Sequence, residues 1–204
     1  MRVHPMAARR KLARTAAAVG AIALLAGCVS FGPRAPDKLL TLTASNAAPA
    51  GSSRTGAEGN AIAITDFEAT AGIDVLRVPV RINGSELAYL KDAVWVERPQ
   101  RLFRRVVAET VRARTDRIVI DGDDPGVAAT VRVTGVVREF GYDAPTSSVV
   151  VRFDATRMEP GGAAVTSRRF EAVVPGVAAE SGPVGQALNQ AANQVAGEIA
   201  AWLL

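Results

Sequence analysis

A chain needs nucleophiles, bases or metal ligands to do chemistry, and among its 204 residues this one has a single cysteine, Cys28, and a single histidine, His4. A thiol is the strongest side-chain nucleophile for making a thioether. Cys28 follows Leu25-Ala26-Gly27, a branched apolar residue and two small ones. The densest acidic group is Asp121-Gly122-Asp123-Asp124-Pro125-Gly126. Its carboxylates offer oxygen ligands to a hard cation, but a calcium loop needs acids at alternate positions and a distal Glu. Asp, Gly and Pro together are what a tight turn requires, so a turn and no metal site is expected. Ser147, Ser148 and Ser167 have no histidine to activate them, and neither a Gly-x-x-x-x-Gly-Lys cradle nor a Gly-x-Gly-x-x-Gly turn after a strand occurs. Carboxylate pairs act as acid and base in sugar hydrolysis. No pair is singled out here, and no catalytic residue is expected.

Before Cys28 stand Arg2, Arg9, Arg10, Lys11 and Arg14, then an uncharged run from Thr15 to Ala26. That is the charged and apolar order of a secretory signal, and the run is well short of the roughly 20 residues a membrane-spanning helix needs. Leu25-Ala26-Gly27-Cys28 resembles the lipobox of bacterial lipoproteins. The resemblance implies that the Cys28 thiol is alkylated with diacylglycerol, that the peptide is cut before it and that the new amino terminus is acylated; no other cofactor is expected. It also divides the chain into a signal peptide (1–27), a lipidated N-terminus with a short strand and a flexible linker (28–60), and a folded domain (61–204). Val29 follows Cys28 in place of the Asp that typically retains such proteins at the inner membrane. The expected location is the outer membrane, facing the periplasm, with the inner membrane as the alternative.

Five of the 24 bases and none of the 20 acids precede Cys28, so the chain from Cys28 onward has 19 bases, 20 acids and a formal net charge of −1. Phosphate binding needs a basic face that outweighs its acids, so no nucleic-acid partner is expected. The 177 residues from Cys28 onward suffice for one core, and they contain no histidine, which removes the commonest general base and zinc ligand.

Around these residues the hydrophobic pattern predicts the scaffold. Lys38–Thr43 reads as a short strand, and Ala44–Asn60, rich in Ala, Gly, Ser and Asn, as a mobile linker. Period-two alternation predicts strands over Ala61–Phe67 and Asp74–Ile82, the latter turning at Asn83-Gly84 into Glu86–Tyr89 as a hairpin. From Pro99 the spacing of Leu102, Phe103, Val106, Val107 and Val111 predicts an amphipathic helix. Its other face carries Arg101, Arg104, Arg105, Glu109 and Arg112, which fits a solvated surface better than contact with anionic lipid or an acidic partner. Ala129–Phe140, Ser148–Met158 and Val165–Val174 read as an antiparallel meander, with a bulge expected at Gly135. Val184, Leu188, Ala191, Val195, Ile199 and Trp202 line one stripe of a closing helix whose other stripe is Gln186, Asn189, Gln190, Asn193 and Gln194.

The elements add up to an α+β two-layer sandwich, a mostly antiparallel sheet with two amphipathic helices on one face. Tyr89, Trp95 and Trp202 are either binding anchors or core residues, and packing is the expected role. Val136, Val150 and Val173 fall on the side of their strands away from the helices, an apolar patch expected to dock another subunit or a second copy of the chain. The competing expectation is that both sheet faces are covered within the monomer.

Leu76-Arg77-Val78, Glu86-Leu87-Ala88-Tyr89-Leu90 and Asp92-Ala93-Val94-Trp95-Val96-Glu97-Arg98-Pro99, followed by the amphipathic helix, resemble the ABC-type transport auxiliary lipoproteins, the family of the paraquat-inducible protein C type. The likeness runs from about Leu39 to Leu203; the family's often Tyr-rich first strand is Leu39-Leu40-Thr41-Leu42 here. It implies an accessory to an ABC-type system moving lipids or other hydrophobic compounds across the envelope. The implied partners are transporter subunits, a substrate-binding protein with a mammalian-cell-entry domain, and the membrane through the lipid anchor. For Trp95 and Pro99 it implies a shared fold element. Two other classes stay open: a structural or assembly lipoprotein of the outer membrane without a transporter, and a carboxylate-based hydrolase.

Overall fold

The structure, a computed structural model, describes residues 38–56, 60–122, 129–159, 161 and 164–204. First come β1 (Ala61–Ala69), whose residues 61–65 are all buried, β2 (Arg77–Arg81), buried at its three central residues, and the more exposed β3 (Leu87–Val94). A change to helical spacing gives α1 (Pro99–Arg114), with Pro in the first turn and Arg112 and Arg114 in the last, where cations favour the helix dipole. Then come β4 (Ile118–Asp121), β5 (Val131–Asp143), β6 (Ser148–Met158), β7 (Val165–Val174) and α2 (Ser181–Leu203).

The seven strands make one mixed sheet, and with the two helices the fold is α+β. β5 organises it. One edge of β5 pairs antiparallel with β6 over its whole length, and β6 pairs antiparallel with β7. The other edge is shared: Val131–Val137 runs parallel to β1, whereas Tyr142 and Asp143 pair with β2. The sheet therefore forks, with β1 and β4 on one prong and the β2–β3 hairpin on the other. The parallel strand β4 is missing from the sequence reading. It is four residues long, and its partner Ala61 lies far away in sequence, so no local pattern announces it.

Both helices cover the same face of the sheet and touch each other. Leu102, Phe103, Val106, Val107 and Val111 of α1 and Val184, Leu188, Ala191, Val195 and Ile199 of α2 are all buried there. At the centre Phe67, Phe103, Phe140, Phe153 and Trp95 form a connected aromatic cluster, with Phe67 and Phe153 centred 4.4 Å apart. The bulge expected at Gly135 falls to either side of it. β5 slips against β6 between Val137 and Glu139, and β1 slips against β5 between Ile64 and Phe67. Gly135 itself serves close approach: a Cβ there would stand 2.3 Å from the Asp154 carbonyl oxygen and 2.4 Å from the Phe153 ring.

Lys38–Thr43 contributes one parallel bridge, Leu40 to Trp95, and no strand. The reason is that side-chain amides of α2 take up the backbone groups that a neighbouring strand would otherwise satisfy. The Thr43 N–H donates to Asn189 Oδ1 (2.8 Å), the Ser45 N–H donates to Asn193 Oδ1 (2.7 Å), and Asn193 Nδ2 donates to the Thr43 carbonyl (2.9 Å). Leu42 is buried, and Leu40 lies over Gly185, where a Cβ would stand 2.6 Å from its Cδ2. In the stretch expected to be a linker, Ala44 packs on the core and the Ala48 N–H donates to Glu109 Oε1 at 2.8 Å. Residues 38–45 are thus a strap laid along α2.

Candidate functional site

The face of the sheet turned away from the helices carries the polar groups with the most definite geometry. Along β6, Val149, Val151, Phe153 and Ala155 point to the helices, so Val150, Arg152 and Asp154 point outward. The register sets Asp154 beside Arg169 and Arg152 beside Glu171 on β7. Two rows of charge result. In one, Asp154 accepts from Arg138 Nε (2.9 Å) and from Arg169 Nε (2.6 Å). In the other, Arg152 sits between Glu139 and Glu171 and donates to both. The Arg169 hydrogen bond is the main cause that holds the Asp154 carboxyl down to about 2, with Arg138 adding to it against partial burial. Partial burial opposes the charge on Arg152, but its bond to Glu171 and the nearby Glu139 charge outweigh it and raise its pKa.

Next to these rows, a cleft of about 340 Å³ opens between the β2–β3 hairpin and β5. Its walls include Ile73, Pro79, Leu87 and Val150, with Arg81 and Asp143 at its polar end. Asp143 is 3% exposed and is paired with Arg81 (2.8 Å), which compensates a buried carboxylate that would otherwise be costly. Thr146 also donates to Asp143, and Thr146 and Ser148 share a 2.6 Å hydrogen bond. The Ser148–Thr146–Asp143–Arg81 chain pins the β5–β6 turn to β2. Its one carboxylate is held by a guanidinium, so the arrangement fixes shape and does not activate the serine.

The three valines do lie on this outward side but do not make a row of exposed apolar groups. Val150 is 8% exposed in the wall of the cleft, Val136 is half-buried opposite Asp154, and Val173 alone is open, at 48%. The outward residues between them are the ion-paired Arg152, Asp154, Arg169 and Glu171. Ser167 is exposed on β7 opposite Thr156. Among the aromatics, Trp95 is core, edge-on to Phe140 with centroids 5.7 Å apart. Trp202 packs on Phe170, and Tyr89 lies under the Arg77 guanidinium, 4.3 Å from its ring centre.

The arginine-bearing face of α1 is matched by acids. Arg101 and Arg105 pair with Glu97, Arg104 with Asp66 and Asp121, and Arg112 with Glu109. The Arg105 hydrogen bond lowers the Glu97 pKa. Leu25, Ala26, Gly27 and Cys28, and Asp123 to Gly126 of the acidic turn, lie outside the described residues. Asp121, which is described, belongs to β4 and the Arg104 pair. No helix among the described residues is long and apolar enough to cross a membrane. Asp143 was not singled out by sequence, and Asn189 and Asn193 were read only as the first and second asparagines of the closing helix's polar stripe. The pair carried a signal, since two asparagines four apart share one helix face.

Residues 40–200 match the profile of the family described as ABC-type transport auxiliary lipoprotein component. No match was found among curated proteins. Among solved structures, protein XCC0632 from Xanthomonas campestris, of the DUF330 family, is similar at a TM-score of 0.65 and 20% identity, covering 82% of this chain and 94% of its own. An uncharacterized protein is similar at a TM-score of 0.63 and 11% identity, covering 74% of this chain and 97% of its own. At these identities the likeness is one of fold.

Proposed function

The chain belongs to the ABC-type transport auxiliary lipoprotein family, and on that premise we propose that it is a lipid-anchored, non-catalytic accessory of an ABC-type envelope transporter that handles lipids or similar hydrophobic compounds. Its partners in this reading are the transporter's ATPase and permease and a substrate-binding protein of the mammalian-cell-entry type. The observation that carries the reading is the family match from residue 40 to residue 200, nearly the whole folded domain, directly downstream of Leu25-Ala26-Gly27-Cys28.

In this reading Cys28 carries the diacylglycerol and an N-acyl chain, and the domain stands at the outer membrane facing the periplasm. Lipidation supplies about 0.8 kcal/mol per buried CH₂, and two or more chains make a stable anchor. Fractionation of wild type and Cys28→Ala tests it. The variant is expected to leave the membrane fraction and the wild type to band with outer membranes. A variant still tightly bound refutes the anchor, and wild type in the inner membrane refutes the sorting. Co-purification from detergent-solubilised membranes tests the partnership. Recovery of an ATPase and a mammalian-cell-entry protein supports it, whereas recovery of barrel-assembly or cell-wall components in their place overturns it in favour of an assembly role.

A further inference from the structure

β7 is an edge strand: among the described residues it pairs with β6 and with nothing on its other side. Its ten residues leave a line of backbone N–H and C=O groups open to another strand. Phe170 and Ala172 face the helices and are buried, so Arg169, Glu171 and Val173 face outward. Both charge rows run across the sheet to this edge and stop there. The first reads Arg138, Asp154, Arg169 and ends on a cation; the second reads Glu139, Arg152, Glu171 and ends on an anion.

We infer that the β7 edge is an interface for a second copy of this chain, joined antiparallel about a two-fold axis at Phe170, so that two sheets become one. Charge complementarity and side-chain direction select this arrangement. Residues directly opposite in an antiparallel pair share a face, so the allowed registers differ in steps of two. Centring on Phe170 sets Arg169 of each copy against Glu171 of the other. Each row then alternates in sign without a break: Arg138, Asp154, Arg169, followed by Glu171, Arg152 and Glu139 of the second copy. Centring one residue earlier sets Arg169 against Arg169, and one residue later sets Glu171 against Glu171, and like charges directly opposite are destabilising. The chosen register also places exposed Val173 opposite Ser167 and sets Thr166 opposite Val174. It pairs the same patch on both subunits, as a two-fold interface requires.

Ser167 and Val173 lie outside the charge rows and are exposed, so cysteines there test the register without cutting into the core. Directly opposite positions come within disulfide reach. The full-length protein in its membrane, carrying Ser167→Cys and Val173→Cys together, is expected to give on mild oxidation at least tenfold more species of twice the monomer mass than either single variant, as read by non-reducing electrophoresis. The single variants also carry Cys28 and control for it. Ser167→Cys with Glu171→Cys reports the register centred one residue earlier, and a dimer there overturns the assignment. So does a double variant that melts like wild type and stays monomeric, or one that crosslinks to a different protein. Sedimentation of the detergent-solubilised wild-type chain needs no substitution: dimer mass is expected at micromolar concentration, and a monomer overturns the proposal.

Discussion

Asn193→Ala isolates what holds the strap. The substitution removes the bond to the Thr43 carbonyl and the acceptor for the Ser45 N–H, at 2.9 and 2.7 Å. Both bonds are exposed, so water replaces the lost partner and no buried group is orphaned. At about 0.5–1.5 kcal/mol per neutral hydrogen bond the loss of two is about 1–3 kcal/mol. Alanine's better helix propensity returns up to about 0.7 kcal/mol, leaving a net cost of about 1 kcal/mol. Adding Asn189→Ala removes the acceptor for the Thr43 N–H, with the same propensity gain set against it, and brings the cost to about 1.5 kcal/mol. For a domain of this size each kcal/mol lowers Tm by about 2–4 °C. The sharper assay is amide hydrogen exchange, where about 1 kcal/mol is a roughly fivefold acceleration at the Ser45 amide. If Ser45 exchanges at the wild-type rate in the double variant, the asparagines do not hold the strap and the reasoning fails. Release would also free residues 38–45, which span up to about 27 Å when extended.

Two further outcomes follow from packing and charge. Gly135→Ala forces a methyl to 2.4 Å from the Phe153 ring and 2.3 Å from the Asp154 carbonyl; overpacking of this kind is expected to cost about 3 kcal/mol or more, read as a lower urea midpoint, and an unchanged midpoint would show that the strands part there without strain. Asp154 ionises at about 2 in the folded chain, below its ordinary 3.8, so its contribution is present above about pH 4 and is lost as pH falls toward 2. Solvent screening on this open face holds that contribution to about 1 kcal/mol. Asp154→Asn is therefore expected to lower stability at pH 7 and to flatten the acid limb of a urea-midpoint profile between pH 4 and 2; parallel profiles for variant and wild type would contradict the assignment.

How much of this was legible in the chain depended on how local the cause was. Both helices were readable from Leu102 to Val111 and from Val184 to Trp202, because an apolar stripe at helical spacing must face a core wherever that core lies. The β2–β3 hairpin and the meander were readable for the same reason, since each pairs neighbours in sequence through a turn. The lipobox-like run Leu25-Ala26-Gly27-Cys28 is local too, a few consecutive residues. Parallel pairing is not local: β4 meets β1, and β5 meets β1 and β2, only after long excursions of the chain, so the fork in the sheet leaves no mark within any one segment. The outward face was misjudged on the same ground. Val150 and Val173 alternate as exposed residues should, but whether the hairpin prong closes over Val150 depends on where β2 is set against β5. Sequence alone determined which residues are apolar or charged and how often they recur along a strand or helix. Only the tertiary structure decided that Arg138, Asp154 and Arg169, from three strands, form one row, because cross-strand register is fixed by packing the whole sheet against two helices.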